Sequence, residues 1–162
     1  MLTHLPTRPR TTIHVSSRIA IVASSYHPEL VEPMVEKALQ EIHAIDTLIK
    51  TEVVHAPGSF EIPYLARQMI EKRKSDAVIC LGVILQGETG HAELIAASVS
   101  HALCQLSVEA KTPIIHGVLF LKNEEQAKER CLGEEYNRGI EAARAAVESL
   151  RASRAILPLP VR

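Results

Sequence analysis

The segment Gln86-Gly-Glu-Thr-Gly-His91 sits between an apolar run ending at Leu85 and a helical period beginning at His91. Gly87 and Gly90 permit tight backbone turns. The first N–H groups of the following helix have no partner within it and point outward, which makes a site for an anion such as phosphate. Thr89 adds a hydroxyl donor. The charge of Glu88 opposes phosphate, so its side chain is expected to point away and only its backbone N–H to be used. Two glycines alone fit an ordinary loop better than a phosphate site. His91 shifts that balance, because imidazole takes up and releases protons near neutral pH. A helix start disfavours its charged form and favours the neutral base. A capping or solvated histidine is the competing reading, since the chain has 8 histidines. His4, His14, His27, His43 and His101 read as surface or arm residues.

Three further segments carry chemical groups. In Ala56-Pro-Gly-Ser-Phe-Glu-Ile-Pro63, Pro-Gly forces a turn and Phe60 and Glu61 open a helix. Phe60 offers an apolar face to a ligand, or packs the helix entry as a staple. Glu61 is an acceptor suited to a polyol, or a first-turn carboxylate that complements the helix dipole. Tyr26, after Ser24 and Ser25, can stack on a flat heterocycle, although a partly buried loop tyrosine fits as well. Arg130 can make a forked contact with phosphate, or be solvated like most helical arginines.

These groups need a scaffold, and the rest of the chain alternates strand and helix. Strands are expected at 18–23, 47–55, 76–85 and 113–121; the first is a short run of branched apolar residues typical of a strand covered on both faces, and 76–85, the most apolar, is expected to be central. Helices are expected at 28–43, 60–72, 91–110, 123–132 and 136–152. In the first, Val31, Met34, Val35, Ala38, Leu39 and Ile42 share one face. Pro33 falls in its first turns, where a missing N–H costs least. In the third, Ile95, Val99, Ala102, Leu103 and Leu106 face inward. Asn123 can cap the fourth, with Gln126 three residues on. The order βαβαβαβαα predicts a three-layer α/β/α domain with a four-stranded parallel sheet. Ligands of such sheets bind beyond the carboxyl ends of the strands. The loops at 24–27, 56–59, 86–90 and 122 therefore belong on one rim.

The chain divides into an extended arm (1–17), one α/β domain (18–154) and an irregular tail (155–162). Ile13, His14 and Val15 of the arm could pair with a sheet edge, its own or a neighbour's. With 46% hydrophobic and 23% charged residues the domain can build a full core, and with 3% aromatics that core is aliphatic. The net charge of −1 gives no footprint for nucleic acid or an anionic membrane. No apolar run approaches the roughly 20 residues of a membrane span, and residues 1–17 lack the apolar stretch of a signal peptide. A cytoplasmic protein is expected. Cys80, Cys104 and Cys131 read as buried free thiols, and no metal site is expected.

Together, Pro57-Gly-Ser-Phe-Glu-Ile-Pro63, Gly82-Val-Ile-Leu-Gln-Gly-Glu-Thr-Gly-His91 and Asn123-Glu-Glu-Gln-Ala-Lys-Glu-Arg130, followed by Asn137-Arg-Gly139, resemble the 6,7-dimethyl-8-ribityllumazine synthases. The resemblance runs from about Arg18 to about Leu150, and its first two motifs are specific in combination. It implies a flavodoxin-like domain of the lumazine synthase type. It implies a transferase of riboflavin biosynthesis that condenses 5-amino-6-(D-ribitylamino)uracil with 3,4-dihydroxy-2-butanone 4-phosphate. Phosphate and water leave, in the penultimate step of the pathway, with no cofactor.

By matching positions, the resemblance implies that Tyr26 stacks on the pyrimidine, and that Ser59, Phe60 and Glu61 face the pyrimidine and ribityl chain. Backbone groups of Val83, Ile84 and Leu85 bind the pyrimidine edge. The phosphate falls on Gly87, Glu88 and Thr89, with Arg130 opposite. His91 is the proton-transfer residue, and Arg138 occupies a basic position near the substrate. The resemblance further implies a homopentamer in which a neighbour supplies His116 and Arg130, with a hollow icosahedral shell as a larger assembly. Gln86 stands where many members have arginine, His116 where phenylalanine is common, and Glu134 in a loop that elsewhere carries lysine. These departures keep open a second reading, a shell-forming or flavin- or lumazine-binding protein of the same fold with weakened catalysis. A generic nucleotide-binding domain fits less well, because Ala23-Ser-Ser-Tyr26 stands where a Gly-x-Gly-x-x-Gly turn would follow the first strand.

Overall fold

The computed structural model describes residues 5–9, 16–134 and 136–156. Strands β1 (Arg18–Ser24), β2 (Lys50–Ala56), β3 (Ala77–Leu85) and β4 (Ile114–Leu121) form one sheet in the order β2-β1-β3-β4, and every pairing is parallel. The helices are α1 (Pro28–Ile45), α2 (Ile62–Arg73), α3 (His91–Ala110), α4 (Glu124–Leu132) and α5 (Arg138–Ile156). This is the expected three-layer, flavodoxin-like architecture.

Strand alternation splits the core in two. Ile19, Ile21 and Ala23 of β1 and Ile79, Leu81 and Val83 of β3 pack with α1, α4 and α5. Ala20, Val22, Val78, Cys80 and Ile84 point the other way, onto α2 and α3. Burial on both faces explains why β1 and β3 read as unbroken apolar runs. Each buried aliphatic side chain contributes about 1.5–3 kcal/mol.

Several element boundaries differ from the sequence reading, most by one or two residues. The second strand starts at Lys50, three residues late. Asp46 takes the intervening residues into a turn, with its Oδ1 accepting from Leu48 N–H at 2.9 Å. The second helix opens with a 3-10 turn, Ser59–Glu61, before α2. The last helix starts at Arg138, because the buried Asn137 amide donates to the Cys131 carbonyl (2.5 Å) and accepts from Gly139 N–H (2.8 Å). It runs on to Ile156, so residues 155 and 156 are helical rather than tail. The Asn123 cap is present, accepting from Gln126 N–H at 2.9 Å. Cys80 and Cys131 are buried, as expected, but Cys104 is exposed. It lies on the side of α3 opposite the buried Val99, Leu103 and Leu106.

The described part of the arm lies on its own chain. Glu41, only 5% exposed on α1, receives Arg8 through both carboxylate oxygens (2.8 and 2.7 Å) and Arg144 of α5 at 2.7 Å. Arg144 also donates to the Pro6 carbonyl. Ile13, His14 and Val15, expected to pair with a sheet edge, lie outside the described residues. Burial raises the pKa of the Glu41 carboxyl, and the two guanidiniums more than offset this, leaving it below its ordinary value.

A carboxylate lowered in the folded state stabilises the fold fully above its unfolded pKa, about 4.3, and loses that contribution as pH falls through the folded value. Glu41→Gln, which leaves Arg144 without its partner charge, is expected to cost about 3 kcal/mol at neutral pH. Thermal unfolding across pH should show the gap to the parent chain closing below about pH 4.

Candidate active site

Because the strands are parallel, their carboxyl ends share one rim, and the order β2-β1-β3-β4 reverses direction between β1 and β3. A cavity of about 620 Å³ opens there. Three of the four expected loops build it.

The loop after β1 supplies Tyr26 and His27. Ser24 Oγ accepts from Tyr26 N–H at 3.1 Å, and Ser25 N–H donates to the Ala56 carbonyl at 2.7 Å, which ties this loop to the end of β2. The loop after β2 supplies Gly58, Ser59, Phe60 and Glu61. Tyr26 and Phe60 are 66% and 61% exposed, so both rings have faces free for a ligand. Ser59 is buried, and its seat depends on Gly82 of β3. A Cβ at Gly82 would stand 2.7 Å from Ser59 Oγ and 3.3 Å from Ile62 Cδ1.

The end of β3 adds Val83, Ile84 and Leu85, and the loop beyond it adds Gln86, Gly87 and Thr89. Gln86 N–H donates to the Leu121 carbonyl at 2.8 Å, holding this loop against β4. His91 opens α3 and lines the cavity with Ala92 and Ile95, one turn of helix. No side chain caps the start of α3. Its first N–H groups are therefore available to an anion.

Of the residues singled out in the sequence, Tyr26, Ser59, Phe60 and Glu61 meet Val83, Ile84 and Leu85 in this cavity, and Gly87, Thr89 and His91 close it. Four do not line it. Glu88 is exposed on the same loop. His116 lies on β4, its Nε2 within 2.8 Å of Ser100 Oγ. Arg138 is paired with Glu141 at the start of α5. Arg130, near the end of α4, has no ion-pair partner among the described residues. The ionisable groups lining the cavity are the Tyr26 phenol, His27, Glu61 and His91; among the described residues no Lys or Arg lines it. Among the described residues no three His, Cys, Asp or Glu side chains are grouped to hold a metal, and no helix is long and apolar enough to cross a membrane.

The sequence reading missed His27, Ala92 and Ile95. The spacing of 91, 92 and 95 on one helix face was the available signal for two of them. For His27 the signal was its place between the rim tyrosine and Pro28.

Residues 16–154 match the family model described as 6,7-dimethyl-8-ribityllumazine synthase. The chain belongs to the 6,7-dimethyl-8-ribityllumazine synthase family. It is 38% identical over 142 residues to the 6,7-dimethyl-8-ribityllumazine synthase of Cytophaga hutchinsonii, covering 85% of this chain and 87% of that one. It is 33% identical over 143 residues to 6,7-dimethyl-8-ribityllumazine synthase 1 of Caulobacter vibrioides, covering 88% and 94%. The enzyme of Coxiella burnetii is 34% identical over 137 residues, covering 84% and 91%. The lumazine synthase reading of the motifs is thus borne out for nearly the whole domain.

Gly82→Ala is expected to cost about 2 kcal/mol by overpacking against Ser59. Ser59→Gly in the same chain should recover most of that loss, because Ser59 Oγ is the nearest atom. A double-mutant cycle by thermal unfolding checks it, and simple additivity of the two changes would refute the contact.

Proposed function

We propose that this cavity condenses 5-amino-6-(D-ribitylamino)uracil with 3,4-dihydroxy-2-butanone 4-phosphate to 6,7-dimethyl-8-ribityllumazine, in the cytoplasm. The observation that carries the reading is the meeting of two exposed aromatic rings, a carboxylate and an imidazole at an uncapped helix start in one cavity. Tyr26 and Phe60 offer faces to the planar pyrimidine. Ser59 and Glu61 meet the ribityl chain, and backbone groups of Val83, Ile84 and Leu85 read the pyrimidine edge. The start of α3, with Gly87, Glu88 through its backbone N–H, and Thr89, receives the phosphate.

An imine forms between the substrate's amine and the ketone, releasing water. Loss of a proton from the adjacent carbon then allows phosphate to leave. Closure of the second ring through the ribityl-bearing nitrogen releases a further water. His91 carries these protons, since it opens α3 beside the phosphate loop.

The phosphate needs a cation that the cavity of one chain lacks. Arg130 carries a guanidinium without an ion-pair partner, outside that cavity. The outward face of α3 exposes Leu94, Ala97, His101, Cys104 and Val108 at alternating intervals of three and four, the spacing of a helix-packing seam. These features support a second copy that brings Arg130, with His116, to the cavity. One copy's cavity against a different patch of the next is a head-to-tail contact, the kind that builds a ring when the rotation between copies closes. The family resemblance supports reading that ring as a pentamer, and sedimentation distinguishes it from a hollow shell. Cys80, Cys104 and Cys131 are unpaired, which fits a reducing compartment.

With lumazine fluorescence as the readout, His91→Ala should lower kcat by about 10²–10⁴ with little change in KM. Arg130→Ala should raise KM for the butanone phosphate by about tenfold or more. Unchanged turnover in both variants would refute these roles.

A further inference from the structure

A second cavity, of about 240 Å³, opens at the opposite end of the sheet, where β1 and β2 begin. Arg18 and Lys50 are the first residues of those strands and are partners in register, so their side chains leave the same face of the sheet. Like charges side by side on one face repel. Glu52 follows on that face, and Arg73 closes the cavity from the end of α2. Arg73 donates to Glu52 through Nε at 3.0 Å and Nη2 at 2.6 Å, which engages that carboxylate and fixes the guanidinium. Arg18 donates from Nη1 to the Arg73 carbonyl at 3.3 Å, covering part of the negative end of α2. Its backbone N–H takes up Asp76 Oδ2 at 2.7 Å. The Lys50 ammonium has no partner among the described residues. Three cations therefore line the cavity with one carboxylate, and that carboxylate is already paired.

Lys74, at φ 57° and ψ 43°, ends α2 in the left-handed region and turns the chain back toward the sheet. Ser75 follows, its N–H donating to the Met69 carbonyl at 3.2 Å. Ser75 is only 8% exposed and lines the cavity, yet its hydroxyl has no partner among the described residues. A hydroxyl withdrawn from water without a hydrogen bond costs free energy, and a ligand oxygen in the cavity would supply that bond.

We propose that this lower cavity binds a phosphate group, either as inorganic phosphate or as the end of a phosphomonoester. The Ser75 hydroxyl donates to one oxygen, and Arg18, Lys50 and the unpaired Nη1 of Arg73 surround the others. The size fits such a group. At about 240 Å³ the cavity is smaller than the roughly 300–1,000 Å³ of sites that enclose drug-sized molecules. A bound anion relieves the repulsion between Arg18 and Lys50 and ties the starts of β1 and β2 to the end of α2. The cavity shares no lining residue with the one at the other rim, and the proposal does not depend on the reaction assigned there.

The test is calorimetric titration of the assembled protein with orthophosphate and, separately, with glycerol 3-phosphate, at an ionic strength held constant with chloride. Lys50→Gln removes an exposed charge that pairs with nothing in the fold, and Ser75→Ala removes the buried hydroxyl. The parent chain is expected to bind at least one of the two ligands. Lys50→Gln should weaken that binding about tenfold and Ser75→Ala about fivefold. Arg130→Ala, which alters the proposed site at the other rim, should leave it unchanged. Tighter binding of orthophosphate identifies free phosphate as the occupant, and tighter binding of glycerol 3-phosphate a phosphomonoester; equal binding shows a site that reads the phosphate group alone. Binding of neither ligand, binding unchanged by either Lys50→Gln or Ser75→Ala, or binding lost with Arg130→Ala would overturn the proposal.

Discussion

All the chemistry of this chain rests on four parallel strands ending on one rim. The direction reversal between β1 and β3 leaves a crevice there, and the loops after β1, β2 and β3 converge on it. Close packing beneath the rim sets their spacing. Gly82 lacks a side chain on the face where Ser59 seats, so the 3-10 turn carrying Phe60 and Glu61 comes down onto β3. Backbone bonds from Ser25 to Ala56 and from Gln86 to Leu121 tie neighbouring strand ends together. The rim is thus held by main chain, and the exposed rings of Tyr26 and Phe60 stand on a rigid base.

The same geometry leaves the site short of positive charge. An uncapped helix start and two imidazoles face a substrate that carries phosphate, and Glu61 adds a negative group. An exposed helix N-terminus stabilises a nearby negative charge by about 0.3–1 kcal/mol, too little to hold a dianion alone. On the proposed reading the missing charge comes from Arg130 of a second copy, and catalysis becomes a property of the assembly. The exposed seam on α3 gives that assembly a physical cause independent of the substrate.

Much of this was legible in the sequence, and the residues that were not share a reason. β1 and β3 were plain because burial on both faces demands continuous Val, Ile and Leu. Thr47 to Ile49 look like strand by composition, but the side chain of Asp46 bonds the following backbone and takes them into a turn. The start of α5 was set by a buried asparagine whose two bonds reach the end of α4, a tertiary contact without a local pattern. Tyr26, Phe60, Glu61 and His91 were readable because the topology puts every strand-to-helix loop on one rim. His27 was passed over as one surface histidine among several, since a left-handed backbone ahead of Pro28 has no simple sequence pattern that places it on the cavity. Where Arg130 acts has no local pattern either, because its guanidinium lies outside the cavity of its own chain and on the proposed reading reaches a site through another copy.

The central claim is that each site is divided between two copies, and mixing subunits tests it most directly. His91→Ala and Arg130→Ala chains would be unfolded together in equal amounts, reassembled, and assayed for lumazine formation at butanone phosphate far below its KM, where loss of either residue leaves a site nearly silent. A divided site predicts that random mixing restores about a quarter of the parent activity, since a site is intact when a chain with His91 sits beside a chain with Arg130. Activity no higher than that of the two variants reassembled separately would contradict the account.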